Sequence, residues 1–131
     1  MDKLSESQED YLKKIYEIHM EGKEIRVTDI ALQMGISKPS VNKAINMLKQ
    51  LGLISHEHYG CIELTPEGIA QGEEITENYK VSYKFLVDVL GVPEKEAEEE
   101  ADGMEHILTK NTRKRLKKHI KKAKETSSKK K

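Results

Sequence analysis

Residues 26–68 carry the pattern that most restricts the fold of this chain. Two short segments with the apolar spacing of helices meet at Gly35, where a glycine permits the positive φ of a tight turn. Ser37 follows this turn and is a suitable N-cap for the second helix. The apolar residues of the second helix fall on one stripe, which consists of Val41, Ile45, Leu48 and Leu51. The pattern therefore predicts two helices joined by a turn, the second of which keeps a polar side exposed.

Two short strands and another helix are predicted to follow. Gly52 ends the second helix, and residues 53–57 and 61–64 have the composition of two strands joined through His58-Tyr59-Gly60. Thr65-Pro66 then begins a further helix, because proline is favoured at the first helical position. This order of helix, turn, helix, hairpin and helix predicts a winged helix-turn-helix, in which the second helix enters the major groove of DNA.

The rest of the chain is predicted to be helical. Ser5 or Ser7 is a candidate N-cap for a first helix over residues 8–20, and Gly91 and Pro93 stop a long helix over residues 66–90. Further helices are predicted over residues 94–108 and over the first half of residues 112–124, where Leu116 and Ile120 have helical spacing. We therefore predict a mainly α fold with three parts: a winged helix-turn-helix domain with a two-stranded wing (1–70), an all-helical C-terminal domain (71–124) and a basic disordered tail (125–131).

The formal net charge of zero hides two regions of opposite charge. Twelve of the 23 Lys and Arg residues lie in residues 110–131, together with one acidic residue, Glu125. Residues 1–109 consequently hold eleven basic and 22 acidic side chains. Overall charge therefore gives no support to nucleic-acid binding, which depends on locally placed cations. The basic tail is expected either to contact DNA flanks or to fold back on the acidic segment 94–105, and the sequence leaves both open.

Local charge along the second helix does favour DNA contact. No acidic residue lies between Asp29 and Glu57, whereas Lys38, Lys43 and Lys49 lie there among Ser, Asn and Gln. The alternative is that these lysines form only a solvated face, and the complete winged pattern argues against it. The predicted DNA contacts are Arg26, Thr28, Ser37, Lys38, Pro39, Ser40, Asn42, Lys43 and Tyr59.

Composition bears on assembly and location. With 5% aromatic residues, 35% charged residues and no tryptophan, a chain of 131 residues is expected to obtain part of its burial from a partner subunit. The sequence has neither an apolar run of membrane-spanning length nor an N-terminal signal pattern, and its single cysteine, Cys61, cannot form an internal disulfide. We therefore expect a reduced, cytoplasmic homodimer without a membrane partner.

A second group of residues has the chemistry of a metal site. Asp102, Glu105 and His106 are spaced i, i+3 and i+4, so on one helix they project from the same face. Two carboxylates and an imidazole suit Mn²⁺ or Fe²⁺ better than a zinc site built from thiolates. The alternative is a solvated acidic face with a surface histidine, because any acidic helix offers such a trio by chance.

Several motifs along the chain occur together in one protein family. They are Gln8-Glu9-Asp10-Tyr11-Leu12 with Ile15-Tyr16, Arg26-Val27-Thr28-Asp29-Ile30-Ala31, Pro39-Ser40-Val41, Leu64-Thr65-Pro66-Glu67-Gly68, Phe85-Leu86 with Leu90-Gly91-Val92, and Glu105-His106. In these motifs the chain resembles the iron- and manganese-dependent repressors of the diphtheria toxin repressor and manganese transport regulator family. The resemblance runs from Ser7 to about Asn111, and in size alone the chain resembles the short members without an SH3-like domain.

The resemblance implies a metal-binding and dimerisation region after the winged domain. In that family, metal binding orders the first helix against the long helices and sets the separation of the two reading heads on a palindromic DNA operator. The implied function is repression of metal-uptake genes by a homodimer, with no small-molecule substrate. The implied ligands are Asp10, Asp102, Glu105 and His106.

The second metal position of the family is damaged in this chain. Tyr79 stands where the family usually has a histidine, and Lys13 stands where the manganese branch has a carboxylate. Glu98 keeps only part of that position. We therefore expect one Mn²⁺ or Fe²⁺ per subunit. A Lys13 ammonium close to Asp102 would replace the charge of a second cation, although Lys13 equally well points to water.

Two rival functions follow from the same residues. The first is a winged-helix regulator that has lost metal control, which Tyr79 and Lys13 favour. The second is a metal-dependent hydrolase that uses the carboxylates and His106, but the sequence offers no nucleophile pair or Gly-rich loop to complete such a site.

Overall fold

A computed structural model describes residues 4–58 and 61–129 of the chain. These residues divide into two compact units, one up to Glu73 and the other from Glu74 onward. The helices are α1 (Glu6–Met20), α2 (Val27–Met34), α3 (Lys38–Gln50), α4 (Pro66–Lys84), α5 (Glu94–Met104) and α6 (Lys110–Lys129), and a π-helical turn (Phe85–Val89) continues α4. The strands are β1 (Ile25–Arg26), β2 (Ile54–His58) and β3 (Cys61–Leu64).

The first helix begins at a capping box. The Ser5 hydroxyl accepts a hydrogen bond from the backbone amide of Gln8 at 3.1 Å, and the side-chain oxygen of Gln8 accepts one from the backbone amide of Ser5 at 2.9 Å. Two amide groups that would otherwise face solvent are thereby satisfied. Of the two caps considered from the sequence, Ser5 is the one that the structure uses.

The turn between α2 and α3 has the predicted geometry. Gly35 caps α2 with φ 67° and ψ 34°, a left-handed conformation that glycine adopts at low cost. Ser37 then accepts a hydrogen bond from the Ser40 amide at 3.3 Å and caps α3, and Pro39 lies in the first turn of that helix. These residues orient α3 as the second helix of the pair, which confirms the predicted helix-turn-helix.

The sheet has one strand more than the sequence predicts. Its antiparallel order is β1-β3-β2, with Ile25 opposite Ile62 and His58 opposite Cys61. The predicted two-stranded wing is present as β2 and β3, and strand β1, which the sequence did not predict, pairs with β3 and completes a three-stranded sheet. Strand β1 contains only two residues, and a segment so short shows no alternation of polar and apolar side chains from which a strand could be predicted.

The core of the first unit draws on the apolar stripes of its helices. The side chains that lose nearly all contact with water come from α1, α2, α3 and the segment before β2: Leu12, Ile15, Ile30, Val41, Ile45, Leu48 and Leu53. Burying such a side chain contributes about 1.5–3 kcal/mol. The same packing leaves the opposite, polar side of α3 exposed.

The second unit consists, in its described residues, of helices and the turns that join them. After the π-helical turn, Gly91 adopts φ 69° and redirects the chain into α5. Buried Leu86, Ala97 and Ala101 form a small apolar cluster, on which Tyr79 and Tyr83 of α4 pack. The alanines of α5 bring that helix close to α4, because they have no larger side chain to separate the two.

Two helix ends differ from the predicted positions. Helix α5 ends at Met104, four residues before the predicted end, so Glu105 and His106 lie in the turn that follows it. Helix α6 continues to Lys129, although the pattern predicts helix only in the first half of residues 112–124 and disorder over residues 125–131. The added residues up to Lys129 include no Pro or Gly, the residues that most disfavour a helix. No helix in the described part of the chain has both the length and the apolar character needed to cross a membrane.

Candidate metal centre and nucleic-acid interface

The turn after α5 carries the most deeply buried acidic side chain among the described residues. Glu105 is 1% exposed and His106 is 6% exposed, both measured on the side chains. The Nε2 atom of His106 lies 3.9 Å from an Oε atom of Glu105. A carboxylate is costly to bury, and a divalent cation is one partner that offsets this cost.

A polar network of the second unit holds this turn in place. The side-chain amide of Asn78, on α4, donates to the carbonyl oxygens of Glu105 at 3.0 Å and Leu108 at 3.1 Å. Arg113, on α6, donates to the Asn78 side-chain oxygen at 2.9 Å. The helix gives way to a turn after Met104 because Gly103 weakens the helix and Asn78 occupies the carbonyl groups beyond it.

An ion pair anchors the network to α4. Arg113 donates through both terminal nitrogens to Glu74, at 2.6 and 3.2 Å. This guanidinium holds the pKa of the Glu74 carboxyl below its ordinary value, chiefly through the hydrogen bond and also through its charge. Asn78 is therefore fixed from both sides, by the charged Arg113 and by the backbone of the Glu105 turn.

The chemistry of Glu105 and His106 fits a divalent cation. Carboxylate oxygens and imidazole nitrogens bind a first-row metal at about 2.1 Å, so two ligands of one ion are at most about 4.2 Å apart. The separation of 3.9 Å lies within that limit. Because both side chains are buried, a metal bound there would be shielded from competing water.

The other predicted ligands occupy different environments. Asp102 and Glu98 lie on α5 with exposed side chains, and Asp10 lies exposed on α1 of the first unit. Since α5 ends at Met104, the three residues Asp102, Glu105 and His106 do not share one continuous helix, and that part of the sequence argument was wrong. Glu105 nevertheless keeps helical dihedral angles, with φ −59° and ψ −27°.

The predicted loss of a second metal position coincides with an aromatic pair. The rings of Tyr79 and Tyr83 stack with centroids 6.2 Å apart and an interplanar angle of 16°. Burial raises the pKa of the Tyr83 phenol, and the charges of Glu94 and Glu98 raise it further. Tyr83 is consequently a neutral phenol at neutral pH, which is a poor ligand for a divalent cation.

The reading face of α3 has the exposure that DNA contact requires. The predicted contacts of this helix and its cap are all exposed, namely Ser37, Lys38, Pro39, Ser40, Asn42 and Lys43. Since Ser37 and Ser40 also bond to each other through their hydroxyls at 2.9 Å, the N-terminal turn is held in one conformation. Backbone amides at such a helix start can serve a phosphate as donors.

The remaining predicted DNA contacts lie outside α3. Thr28 is exposed in the first turn of α2. Arg26, on β1, donates to Glu24 at 2.6 and 3.1 Å, and this pairing lowers the pKa of the Glu24 carboxyl. A phosphate that binds Arg26 must therefore compete with Glu24. Tyr59 falls outside the described residues.

Sequence reasoning missed the residues that position the metal turn. Asn78 and Arg113 were assigned no role, although both are anchored to elements distant in sequence. One signal was present: Asn78 is a polar residue on the buried side of α4, between Ile75 and Ser82. A buried amide of this kind must find hydrogen-bond partners, but the sequence does not name them.

Two family models cover almost the whole chain. Residues 3–62 match the N-terminal DNA binding domain of the iron dependent repressors. Residues 65–131 match the metal binding and dimerisation domain of the same proteins. The first unit thus carries the DNA-binding part and the second unit the metal-binding and dimerisation part.

Individual relatives agree with these models. An uncharacterized HTH-type transcriptional regulator of Methanocaldococcus jannaschii is 37% identical over 87% of this chain and 92% of its own length. The transcriptional regulator MntR of Salmonella typhimurium is 36% identical over 79% of this chain and 66% of its own length. The solved structure of the manganese regulator SloR is similar with a TM-score of 0.76 and 28% identity, over 87% of this chain and 53% of that one. The chain therefore spans about half to two thirds of the latter two proteins.

Proposed function

The chain belongs to the iron-dependent repressor family, and from this premise we propose that it is a DNA-binding repressor controlled by Mn²⁺ or Fe²⁺. It acts as a homodimer on a palindromic operator, since its second unit matches a dimerisation domain. The repressed genes are those of metal uptake. An operator on the chromosome requires the protein to work in the cytoplasm.

The buried pair of Glu105 and His106 carries this proposal. A carboxylate and an imidazole lie 3.9 Å apart with almost no exposure, inside the part of the chain that matches a metal-binding domain. A solvated acidic surface with a chance histidine would leave both side chains exposed. The observed burial therefore favours a specific metal site over that alternative.

The proposed ligand set combines this pair with exposed carboxylates. Glu105 and His106 hold the cation, and Asp102 and Asp10 are the further oxygen ligands that the family resemblance implies. This set is rich in oxygen and includes one imidazole, which suits Mn²⁺ and Fe²⁺. A bound cation would add positive charge beside the buried Glu105 carboxylate.

We propose one cation per subunit. The stacked Tyr79 and Tyr83 stand on α4 where a second cation would need ionised or imidazole ligands. Glu98, exposed on α5, is the carboxylate that keeps part of that second position.

Metal controls DNA binding because the cation and DNA are thermodynamically linked ligands of the same protein. If the cation binds better to the form of the dimer that fits the operator, metal raises DNA affinity, and DNA raises metal affinity by the same factor. The DNA contacts themselves come from the exposed side of α3 and from Arg26, Thr28 and Tyr59. Side chains such as Asn42 read base edges, while Lys38 and Lys43 contact phosphates.

The test is fluorescence anisotropy with the labelled DNA upstream of the protein's own gene. At fixed salt, affinity is measured in EDTA and in rising concentrations of Mn²⁺ or Fe²⁺. We expect a metal-dependent rise in affinity that Glu105→Gln abolishes and Glu99→Gln, which alters an exposed carboxylate of α5, leaves intact. Metal-independent binding by both variants would overturn the proposal.

A second candidate is a regulator that has lost metal control, and the Tyr79–Tyr83 pair favours it because one metal position of the family has become aromatic. This candidate predicts tight binding to the upstream DNA that ignores both EDTA and Mn²⁺. We propose no enzymatic activity, in keeping with relatives that are named as transcriptional regulators. Substrate turnover that Glu105→Gln removes would contradict that part of the proposal.

A further inference from the structure

Helix α6 has a wide and strongly basic face. Between Lys110 and Lys129 it contains ten Lys and Arg residues and one acidic residue, Glu125. Lys114, Lys118 and Lys122 follow one another at intervals of four residues, so they lie on one side of the helix about 6 Å apart along its axis. All three are exposed. Arg115 and Lys121 flank this row.

The opposite side of α6 is occupied within the second unit. Its few apolar residues, Leu116, Ile120 and Ala123, are half-buried. The His119 ring contacts the Phe85 ring at a centroid distance of 5.9 Å. Arg113 is bound to Glu74 and Asn78, as described above, and Lys117 lies 3.6 Å from Glu77. These contacts turn the row of lysines toward solvent.

The charge of this face fits a polyanion. Residues 1–109 hold twice as many acidic as basic side chains, so a negatively charged partner is repelled by most of the chain and attracted by α6. A DNA duplex carries one phosphate charge per about 1.7 Å of its axis, so lysines about 6 Å apart along α6 can each contact a different phosphate.

A lipid surface fits α6 less well. A helix that lies on a membrane inserts its apolar side into the headgroup layer. In this protein, Leu116 and Ile120 are half-buried on the side of α6 that faces the second unit, and the exposed side contains no large apolar residue from Lys114 to Lys122. A rigid, purely basic face of this kind is suited to phosphates of a nucleic acid backbone.

We propose that the basic face of α6, formed by Lys114, Arg115, Lys118, Lys121 and Lys122, is a second DNA-binding surface that contacts backbone phosphates without regard to base sequence. This inference rests on the proposed function, in which DNA is the partner of the chain. Its role differs from that of α3, because phosphate contacts add affinity at every site and base contacts select the operator. The acidic remainder of the chain makes this added attraction necessary.

The experiment compares Lys118→Gln/Lys122→Gln with the charge-conserving control Lys118→Arg/Lys122→Arg in the full chain. Both pairs use good helix formers, and circular dichroism verifies that α6 persists. Affinity is measured by anisotropy from 50 to 300 mM salt, at fixed Mn²⁺, on the protein's own upstream DNA and on an unrelated duplex of equal length.

We expect the Gln pair to weaken binding to both duplexes by a similar factor, about tenfold at low salt, and to reduce the slope of log affinity against log salt by about two. The Arg pair should match the unaltered chain. An unchanged slope in the Gln pair would overturn the proposal, as would equal losses in both pairs. Binding to phosphatidylglycerol vesicles that the Gln pair alone loses, with DNA binding unaltered, would assign the face to lipid instead.

The same data separate this proposal from the proposed repressor function. If the chain does not distinguish its upstream DNA from the unrelated duplex, the repressor function fails, while a slope that falls in the Gln pair still supports the α6 surface. If the chain selects its upstream DNA under metal control and the slope is unaltered, the repressor function stands and the α6 surface is wrong.

Discussion

The two units place their functional polar side chains in opposite environments. In the first unit, the polar side of α3 faces solvent, and the helix is held by apolar residues such as Ile45 and Leu48 on its other side. In the second unit, Glu105 and His106 are buried, and the turn that carries them is held by a polar network through Asn78. In the first unit, the side chains that face solvent on α3 are different from those that hold the helix in place. In the second unit, the candidate metal ligands are themselves buried beside the polar groups that hold their turn.

This difference has an energetic consequence. A change on the exposed side of α3 removes a contact to DNA without leaving a cavity or an unsatisfied group in the protein. A change at the metal turn disturbs buried polar groups, whose desolvation is costly once a partner is lost. Mutations should therefore separate binding from stability in the first unit and affect both together in the second.

The largest effect is expected at the buried carboxylate. Glu105→Gln keeps the size of the side chain and removes its charge, so Mn²⁺ affinity should fall by at least about 100-fold. Mutating a residue that only supports a metal ligand costs about 10–100-fold in affinity, and loss of a ligand should cost at least as much. Isothermal titration with Mn²⁺ measures affinity and stoichiometry. The matched change Glu99→Gln, at an exposed position of α5, should leave both values intact. Retained stoichiometry and affinity in Glu105→Gln would remove Glu105 from the site.

The framework of the first unit is expected to be sensitive to size rather than to charge. A methyl group added at Gly68, in the first turn of α4, would collide with the backbone carbonyl of Leu53. Gly68→Ala should therefore destabilise the fold by about 3 kcal/mol, as overpacking of a tight contact does. Urea denaturation followed by circular dichroism gives the free energy of unfolding.

Gly103 on α5 provides the control for that change. A methyl group there has open space around it, and its φ is not positive. Gly103→Ala should be neutral or stabilise by up to about 1 kcal/mol, because alanine is the better helix former. Similar losses in the two variants would show that a general response to alanine, and not the contact with Leu53, governs the result.

The polar network of the second unit should couple stability to metal binding. Asn78→Asp keeps the acceptor for Arg113 but removes the two hydrogen bonds donated to Glu105 and Leu108. We expect a loss of about 2 kcal/mol in the free energy of unfolding and a loss of about 10–100-fold in Mn²⁺ affinity. Denaturation and calorimetric titration measure the two quantities.

Asn111→Asp is the matched change, because Asn111 is exposed in the first turn of α6. It should leave Mn²⁺ affinity unaltered. If Asn78→Asp lowers stability and keeps full Mn²⁺ affinity, Asn78 supports the fold without positioning the metal turn.

The smallest effect on the protein itself is expected on the reading face. Asn42→Ala should change the free energy of unfolding by less than about 0.5 kcal/mol, since the side chain is exposed. Its affinity for the upstream DNA should fall about tenfold, within the range for one lost base contact, and its affinity for an unrelated duplex should not change. Anisotropy measures both, with Gln71→Ala, exposed on α4, as the control. A uniform loss on both duplexes would make Asn42 a phosphate contact.

The features of the first unit that depend on local signals could be predicted from the sequence, whereas features that depend on contact between distant elements could not. The helix-turn-helix was predictable because its signals are local: Gly35 permits the turn, Ser37 caps α3, and the apolar stripe gives the buried side. Strand β1 was missed because two residues pair only through contact with β3. The end of α5 was misplaced because Asn78, 27 positions away from Glu105, satisfies the backbone there.

The sequence by itself determined the order of the helices, the polar side of α3, the basic side of α6 and the residue types that can hold a metal. These properties depend on spacing within one element, which the periods of helix and strand fix. Only the tertiary structure decided that Glu105 and His106 are buried, that Asn78 and Arg113 hold their turn, and that Tyr79 stacks on Tyr83. Burial and hydrogen bonding between distant elements arise when the helices pack, and no local pattern contains them.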